Sequence, residues 1–378
     1  MKIVLAGGGS GGHFYPLIAI AEQLRSMAEE EKILDMKLYY MSDVPYEKTA
    51  LFENQITFVS ATSGKRRLYT SFKNFTDLFK IAAGVLQATL KMYYIYPDVV
   101  VAKGGYASFP ALVAARILRI PVVIHESDSY PGRVNLWAGK FATRIGITYE
   151  EALTFFKPER TAVVGMPIRK DLLSSAHDGA HEFLKLDSTV PTIVVVGGSQ
   201  GAENINDVVI DALPLLLPKY QIIHQVGKAR ETEVSSRVRI VVQDHSLLER
   251  YKVFGYLNPL ATKMCAGAAN IYISRAGATS IAEISNWGVP AILIPIPETN
   301  SHGDHQRKNA YHYAHAGAAI VMEEKNLSTT ILAEEIDRVL SDPALQRSMS
   351  ESARRMAHPD AAAKMARIVL DIALSHEK

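Results

Sequence analysis

The chain has 378 residues, 48% of them hydrophobic and 21% charged, so it is longer than one hydrophobic core normally fills. That composition excludes extended disorder and a small stapled fold. With 41 Lys and Arg against 39 Asp and Glu the formal charge is +2, and nothing global points to a nucleic-acid partner.

Short β-branched runs fall at 3–6, 37–41, 99–102, 122–125, 192–196, 222–226, 271–274 and 291–294, with longer amphipathic stretches between them. Such alternation predicts an α/β protein built on parallel sheets. The stretch 3–21 carries no charged residue but has a glycine run at its centre, which neither an export signal nor a membrane helix would hold. The chain is therefore expected to be cytosolic, without a spanning segment. The single cysteine, Cys265, permits no internal disulfide or thiolate metal cage, and is expected in the core.

The first strand enters Gly7-Gly8-Gly9-Ser10-Gly11-Gly12-His13. Gly7, Gly9 and Gly12 satisfy G-x-G-x-x-G between a strand and a helix, the arrangement that lets backbone amides approach a diphosphate. No Lys-Ser/Thr pair follows, so this is not a P-loop. His13 falls in the first helical turn, where the positive helix end disfavours a cation; a neutral, proton-accepting imidazole and a capping or core histidine are both open readings.

Between Lys65 and Tyr96 lie six basic residues (Lys65, Arg66, Arg67, Lys73, Lys80, Lys91) and one acid, Asp77. Leu68, Phe72, Phe75, Phe79, Ala82 and Leu86 step by four and three along one helical stripe. The stripe suits either a buried core face or an apolar face rimmed by cations on an anionic membrane.

A second strand and glycine loop occur at 192–201, where Ser199 and Gln200 add side-chain hydrogen-bonding groups. Two nucleotide-binding-type domains follow, 1–164 and 165–359, and a final helix at 360–378 is expected to cross back and pack on the first. From Ile271 a further strand delivers Arg275. Gly277 then opens a helix whose first amides belong to Ala278, Thr279 and Ser280, with Glu283 one turn on. Amides and a guanidinium suit a diphosphate, and a carboxylate suits ribose hydroxyls.

These pieces, GGGSGGHFYP at 7–16, KGGYAS at 103–108, HES at 125–127, GMPIR at 165–169, GGSQGA at 197–202, SRAGATSIAEI at 274–284 and DHQRKNA at 304–310, together resemble the MurG family of peptidoglycan-precursor N-acetylglucosamine transferases. The resemblance implies a GT-B fold, two Rossmann-like domains whose parallel sheets face across a cleft. It further implies inverting transfer from UDP-N-acetylglucosamine to the 4-hydroxyl of an undecaprenyl-diphosphate-linked N-acetylmuramoyl pentapeptide, at the cytoplasmic membrane face. Other cell-wall synthesis or division proteins are implied as partners.

Carried over by motif, the donor would meet Ser199, Gln200, Asn206, Leu257, Leu260, Arg275, Gly277, Ala278, Thr279, Ser280, Glu283, Gln306 and Asn309. The acceptor would meet Gly11, Gly12, His13, Gly104, Gly105, Tyr106, His125, Glu126, Asn135 and Arg169. The base is His13 or, as alternative, Glu126. Ser127, Asp128, Met166 and Glu203 depart from the family's usual residues.

No Asp-x-Asp occurs, so no tightly bound metal is expected. A rival metal reading takes His302, Asp304, His305, His312 and His315. An NAD-dependent oxidoreductase using Asp43, a two-domain solute-binding protein and a sugar-nucleotide epimerase are the rival functions. The first leaves the Arg275 to Glu283 set unexplained, and the second has no need of His13.

Overall fold

The computed structural model describes residues 1–64, 72–198, 201–297 and 304–375, with 72–78 as backbone only. The chain divides into two compact units, 1–170 together with 358–378, and 171–357. The first unit carries seven strands, β1 (Lys2–Ala6), β2 (Lys37–Ser42), β3 (Ile56–Ser60), β4 (Val99–Ala102), β5 (Val122–Glu126), β6 (Arg144–Ile147) and β7 (Thr161–Val163). They form one parallel sheet in the order β3-β2-β1-β4-β5-β6-β7.

The second unit carries β8 (Thr192–Val196), β9 (Gln221–Gln225), β10 (Tyr251–Phe254), β11 (Ile271–Ser274), β12 (Ala291–Leu293) and β13 (Ala319–Val321). Their parallel order is β10-β9-β8-β11-β12-β13. Each unit is thus a doubly wound sheet, with strand order reversing at β1/β4 in one and at β8/β11 in the other. Ligands of such sheets bind outside the carboxyl ends of the strands at that reversal.

Pleating sends alternate side chains to opposite faces, and both sheets are covered on both. Ile3 and Leu5 join one core of the first unit, Val4 and Ala6 the other. Ile193 and Val195 are separated from Val194 in the same way. The final helix, Ala361–Ser375, packs on the helix Gly11–Glu30 and buries Met365, Ala366, Val369 and Leu370 in the core that holds Ile3 and Leu5. Burying a Leu, Val or Met side chain contributes about 1.5–3 kcal/mol, which ties the C-terminal segment to the first unit.

All eight expected strands are present. Five more, β3, β6, β7, β10 and β13, are short or carry Thr, Gly, Lys or Ala among few apolar positions, too weak a pattern to separate from loop.

Candidate active site

At the first unit's reversal point β1 runs into the glycine loop and β4 into Lys103-Gly104-Gly105, with the Lys103 amide donating to the Ala6 carbonyl at 3.0 Å. Gly8 has φ +138°, and a Cβ there would lie 2.5 Å from Ser42 Oγ and 2.8 Å from the Tyr40 hydroxyl; only glycine fits. The Tyr40 hydroxyl donates to the Gly7 carbonyl at 2.8 Å and fixes the loop to β2.

The helix Gly11–Glu30 starts with Ser10 as N-cap residue, no acid in its first turn and no side-chain cap. Gly11 and Gly12 open this helix, and His13 follows them. Ser10 Oγ turns instead to His13 Nδ1 at 2.9 Å. The opposite nitrogen, Nε2, faces Gly105, where a Cβ would sit 3.3 Å away at φ +76°. Burial, and after it the Lys103 charge, draws the His13 imidazole down to about 4, with Asp128 opposing. A neutral ring whose Nδ1–H donates to Ser10 leaves the Nε2 lone pair free to take a proton.

The Glu126 carboxylate is engaged within the protein. Its Oε1 accepts from the Asp128 amide at 3.0 Å, and its Oε2 from the Gly132 amide at 3.0 Å and Asn135 Nδ2 at 2.9 Å. Burial, and then Asp128, pushes this carboxyl up, against Lys103 and the hydrogen bonds. Asn135 also donates to the His125 carbonyl at 3.1 Å and lies directly under Gly104. His125 is fully buried, with Nε2 2.8 Å from the Gly165 carbonyl, which can only accept. Glu126, Asn135 and His125 therefore support the loops from beneath. Tyr106 packs its ring on Gly9, and the Arg169 guanidinium lies 4.2 Å over the Tyr15 ring.

Sequence reading missed Lys103, although it opens the KGGYAS run. It is only 2% exposed, and among the described residues its Nζ has no hydrogen-bond partner. Burial draws its ammonium down to about 8, against the pull of Glu126 and Asp128. A lysine directly after the apolar run Val99–Ala102 was the available signal; its burial was not legible.

In the second unit Ser199 and Gln200 lie outside the described residues. The helix Ala278–Trp287 starts at Gly277 with no acid in its first turn and no side-chain cap, so Ala278, Thr279 and Ser280 present their amides beside the carboxyl end of β11. Glu283 is half-buried, and its charge reaches Tyr272, whose phenol burial pushes well above its ordinary range. Arg275 pairs with Glu324, and its Nη1 donates to the Ile294 and Pro295 carbonyls at 3.2 Å each. The guanidinium thus already has an anionic partner, with which any incoming anion would compete.

A polar cavity of about 360 Å³ is lined by Gly201, Glu203, Asn204, Arg230, Arg275 and Glu324. Arg230 pairs with Glu203 at 2.8 Å, so an acid at 203 is matched by a cation across the same cavity. Gln306 Oε1 accepts from the Ile296 amide at 3.2 Å, Asn309 is fully buried, Leu257 is buried and Leu260 is 52% exposed. Asn206, expected at the donor, is instead held inside: its Nδ2 donates to the Val226 carbonyl at 3.1 Å, and its Oδ1 lies 3.1 Å from His224 Nε2. It sits on the inner face of the helix Glu203–Leu216, which the glycine-loop pattern alone did not reveal.

Among the remaining expectations, Lys65, Arg66 and Arg67 lie outside the described residues, as do the side chains of Phe72, Lys73 and Phe75. Phe79 and Lys80 are exposed, and Leu86, Leu90 and Tyr93 continue an exposed stripe along the helix Phe72–Ile95. Its opposite face buries Gly84, Ala88 and Met92. A core position is thereby excluded for Phe79, Ala82 and Leu86. Met166 is buried, as is Cys265, whose thiol burial pushes up to about 12. His302 lies outside the described residues, and among those described no group of three or more His, Cys, Asp or Glu side chains converges as a metal site.

Residues 3–147 match the glycosyltransferase family 28 N-terminal domain, and residues 192–365 its C-terminal domain. A protein of Halothermothrix orenii named "UDP-N-acetylglucosamine--N-acetylmuramyl-(pentapeptide) pyrophosphoryl-undecaprenol N-acetylglucosamine transferase" is 35% identical over 378 residues, 99% of either chain. A protein of the same name from Legionella pneumophila (strain Paris) is 37% identical, over 90% of this chain and 89% of its own. The crystal structure of Acinetobacter baumannii MurG superposes with a TM-score of 0.72 at 23% identity, covering 98% of this chain and 99% of that one. A UDP-GlcNAc 2-epimerase from Neisseria meningitidis shares the fold alone, with a TM-score of 0.67 at 14% identity over 98% of this chain and 100% of its own. With two doubly wound units and near-complete matches to these transferases, the chain belongs to the MurG family within glycosyltransferase family 28.

Proposed function

We propose that this enzyme transfers N-acetylglucosamine from UDP-N-acetylglucosamine to the 4-hydroxyl of N-acetylmuramoyl pentapeptide on pyrophosphoryl-undecaprenol, converting lipid I to lipid II in peptidoglycan synthesis. The observation that carries the mechanism is His13, a histidine kept neutral at a strand-reversal point with Nε2 turned to the loop backbone. The acceptor belongs to the first unit's loops and the UDP-sugar to the second unit.

The muramoyl 4-hydroxyl oxygen attacks the anomeric carbon, His13 Nε2 takes the hydroxyl proton, and the carbon–oxygen bond to UDP breaks with inversion. Charge growing on the leaving diphosphate is met by the helix start at Ala278–Ser280 and by Arg275 once it exchanges Glu324 for the phosphate. Glu283 holds the ribose hydroxyls, Leu257 and Leu260 the uracil, and Gln306 the donor sugar, with the buried Asn309 on the same helix behind it. With no Asp-x-Asp in the sequence, this reading has the protein's own cations and amides meet the leaving group without a bound metal. Full turnover in EDTA is expected; a turnover restored only by Mg²⁺ would overturn this point.

A lipid-linked acceptor calls for an enzyme at the membrane, and we read its position as peripheral on the cytoplasmic face. Phe79, Leu86, Leu90 and Tyr93, exposed along one helical stripe with Lys80 beside them, support contact with an anionic bilayer. Binding to phosphatidylglycerol vesicles is expected at low salt and lost in Phe79→Asp/Leu86→Asp; equal binding by that variant would refute the contact. Transfer of radiolabelled sugar from UDP-N-acetylglucosamine to a short-chain polyprenyl-diphosphoryl muramoyl pentapeptide tests the activity. Absence of a disaccharide product would overturn it.

A further inference from the structure

A buried ammonium without a hydrogen bond is strongly disfavoured unless an opposite charge compensates it. Lys103 is such a group: 2% exposed, with Nζ unpartnered among the described residues. It stands at the carboxyl end of β4, directly beneath the glycine loop. A Cβ placed on Gly7 would lie 3.4 Å from Lys103 Cβ on one side and 3.0 Å from the His13 carbonyl on the other.

Two further features of positive potential share this point. Gly8, Gly9, Gly104 and Gly105 all hold positive φ, and without side chains these loops let backbone amides approach an anion closely. The 20-residue helix Gly11–Glu30 begins here without an acid in its first turn, and Ser10 bonds His13 instead of capping it. The charged and titratable groups around Lys103 are Glu126 and Asp128, which attract it, and His13 and His125, on which its charge acts. Glu126 is held by three N–H donors and forms no hydrogen bond to Lys103.

We propose that Lys103 is the counter-charge for the acceptor's diphosphate, a positioning residue that acts through the glycine loops above it. The inference rests on the transfer reading above and adds to it the group that makes the first unit select a diphosphate. Its charge enters the binding of the acceptor and not that of the UDP-sugar.

Lys103→Met removes the charge at nearly constant volume. Initial rates are compared for short-chain polyprenyl muramoyl pentapeptide acceptors carrying either a diphosphate or a monophosphate. Wild type is expected to favour the diphosphate in kcat/KM by tenfold or more. In the variant, acceptor KM rises about tenfold, the preference shrinks below threefold, and KM for UDP-N-acetylglucosamine stays within twofold. A merely structural lysine would not flatten the preference. Should the Met variant fail to fold by circular dichroism, Lys103→Gln carries the same comparison. An unchanged preference, or an acceptor KM within twofold of wild type, overturns the inference. Wild type that makes no product at all would instead sink the transfer reading.

Discussion

Replacing Glu126 with glutamine separates a residue that holds the loops from one that takes the proton. The carboxylate serves three N–H groups: the Asp128 amide at Oε1, and the Gly132 amide and Asn135 Nδ2 at Oε2. Glutamine offers one oxygen. Set at the Oε2 position it keeps two of the three contacts and turns an NH₂ toward the Asp128 N–H, leaving that donor unsatisfied. Losing a hydrogen bond to a charged acceptor costs about 1.5–3 kcal/mol. In a unit of this size that corresponds to a fall of about 3–12 °C in melting temperature. Because His13 is untouched, kcat should drop less than tenfold once the protein is folded. Differential scanning fluorimetry and initial rates on one preparation read both quantities. A kcat loss of a hundredfold or more with an unchanged melting temperature would refute the supporting role and make Glu126 the base.

Three more outcomes follow from the same geometry. Ser10→Ala removes the partner of His13 Nδ1 at 2.9 Å, and kcat should fall about 3–10-fold, the worth of one neutral hydrogen bond, with donor KM unchanged; an unaltered kcat would remove Ser10 from the orientation of the ring. With His13 drawn down from 6.5 to about 4, the base stays unprotonated to well below neutrality, so the acid limb of kcat/KM for acceptor should bend near pH 4 to 5, and a bend near 6.5 would contradict it. The linkage has the same sign: the unfolded chain binds this proton near 6.5 and the folded chain only near 4, so His13's share of stability is intact above 6.5 and declines as pH falls toward 4. Met365→Ala empties a fully buried position of the C-terminal helix and should cost about 2–5 kcal/mol in the first unit without weakening UDP binding; an unchanged chemical denaturation midpoint would mean the helix is not part of that core.

Much of the fold was legible because buried parallel strands are near-continuous apolar runs, as at Lys2–Ala6 and Thr192–Val196, and because glycine loops announce strand–helix turns. Short strands such as Thr161–Val163 take their identity from pairing with a neighbour, information no local window holds. At the site, spacing put His13 in a first helical turn and marked the Ala278–Ser280 helix start, where the structure has them. It could not tell that Asn206 and His125 point inward, or that Arg275 already has Glu324 as partner, since these depend on residues far apart in sequence. Lys103 was passed over for the same reason: an unpaired buried charge is a property of packing.

The central claim is that His13 takes the acceptor proton in glycosyl transfer. Steady-state kinetics of His13→Ala, with UDP-N-acetylglucosamine and a short-chain lipid-linked muramoyl pentapeptide, test it most directly. Loss of a general base lowers kcat by about 10²–10⁴-fold, with KM for the donor within twofold of wild type. A variant that turns over within fivefold of wild type would contradict it.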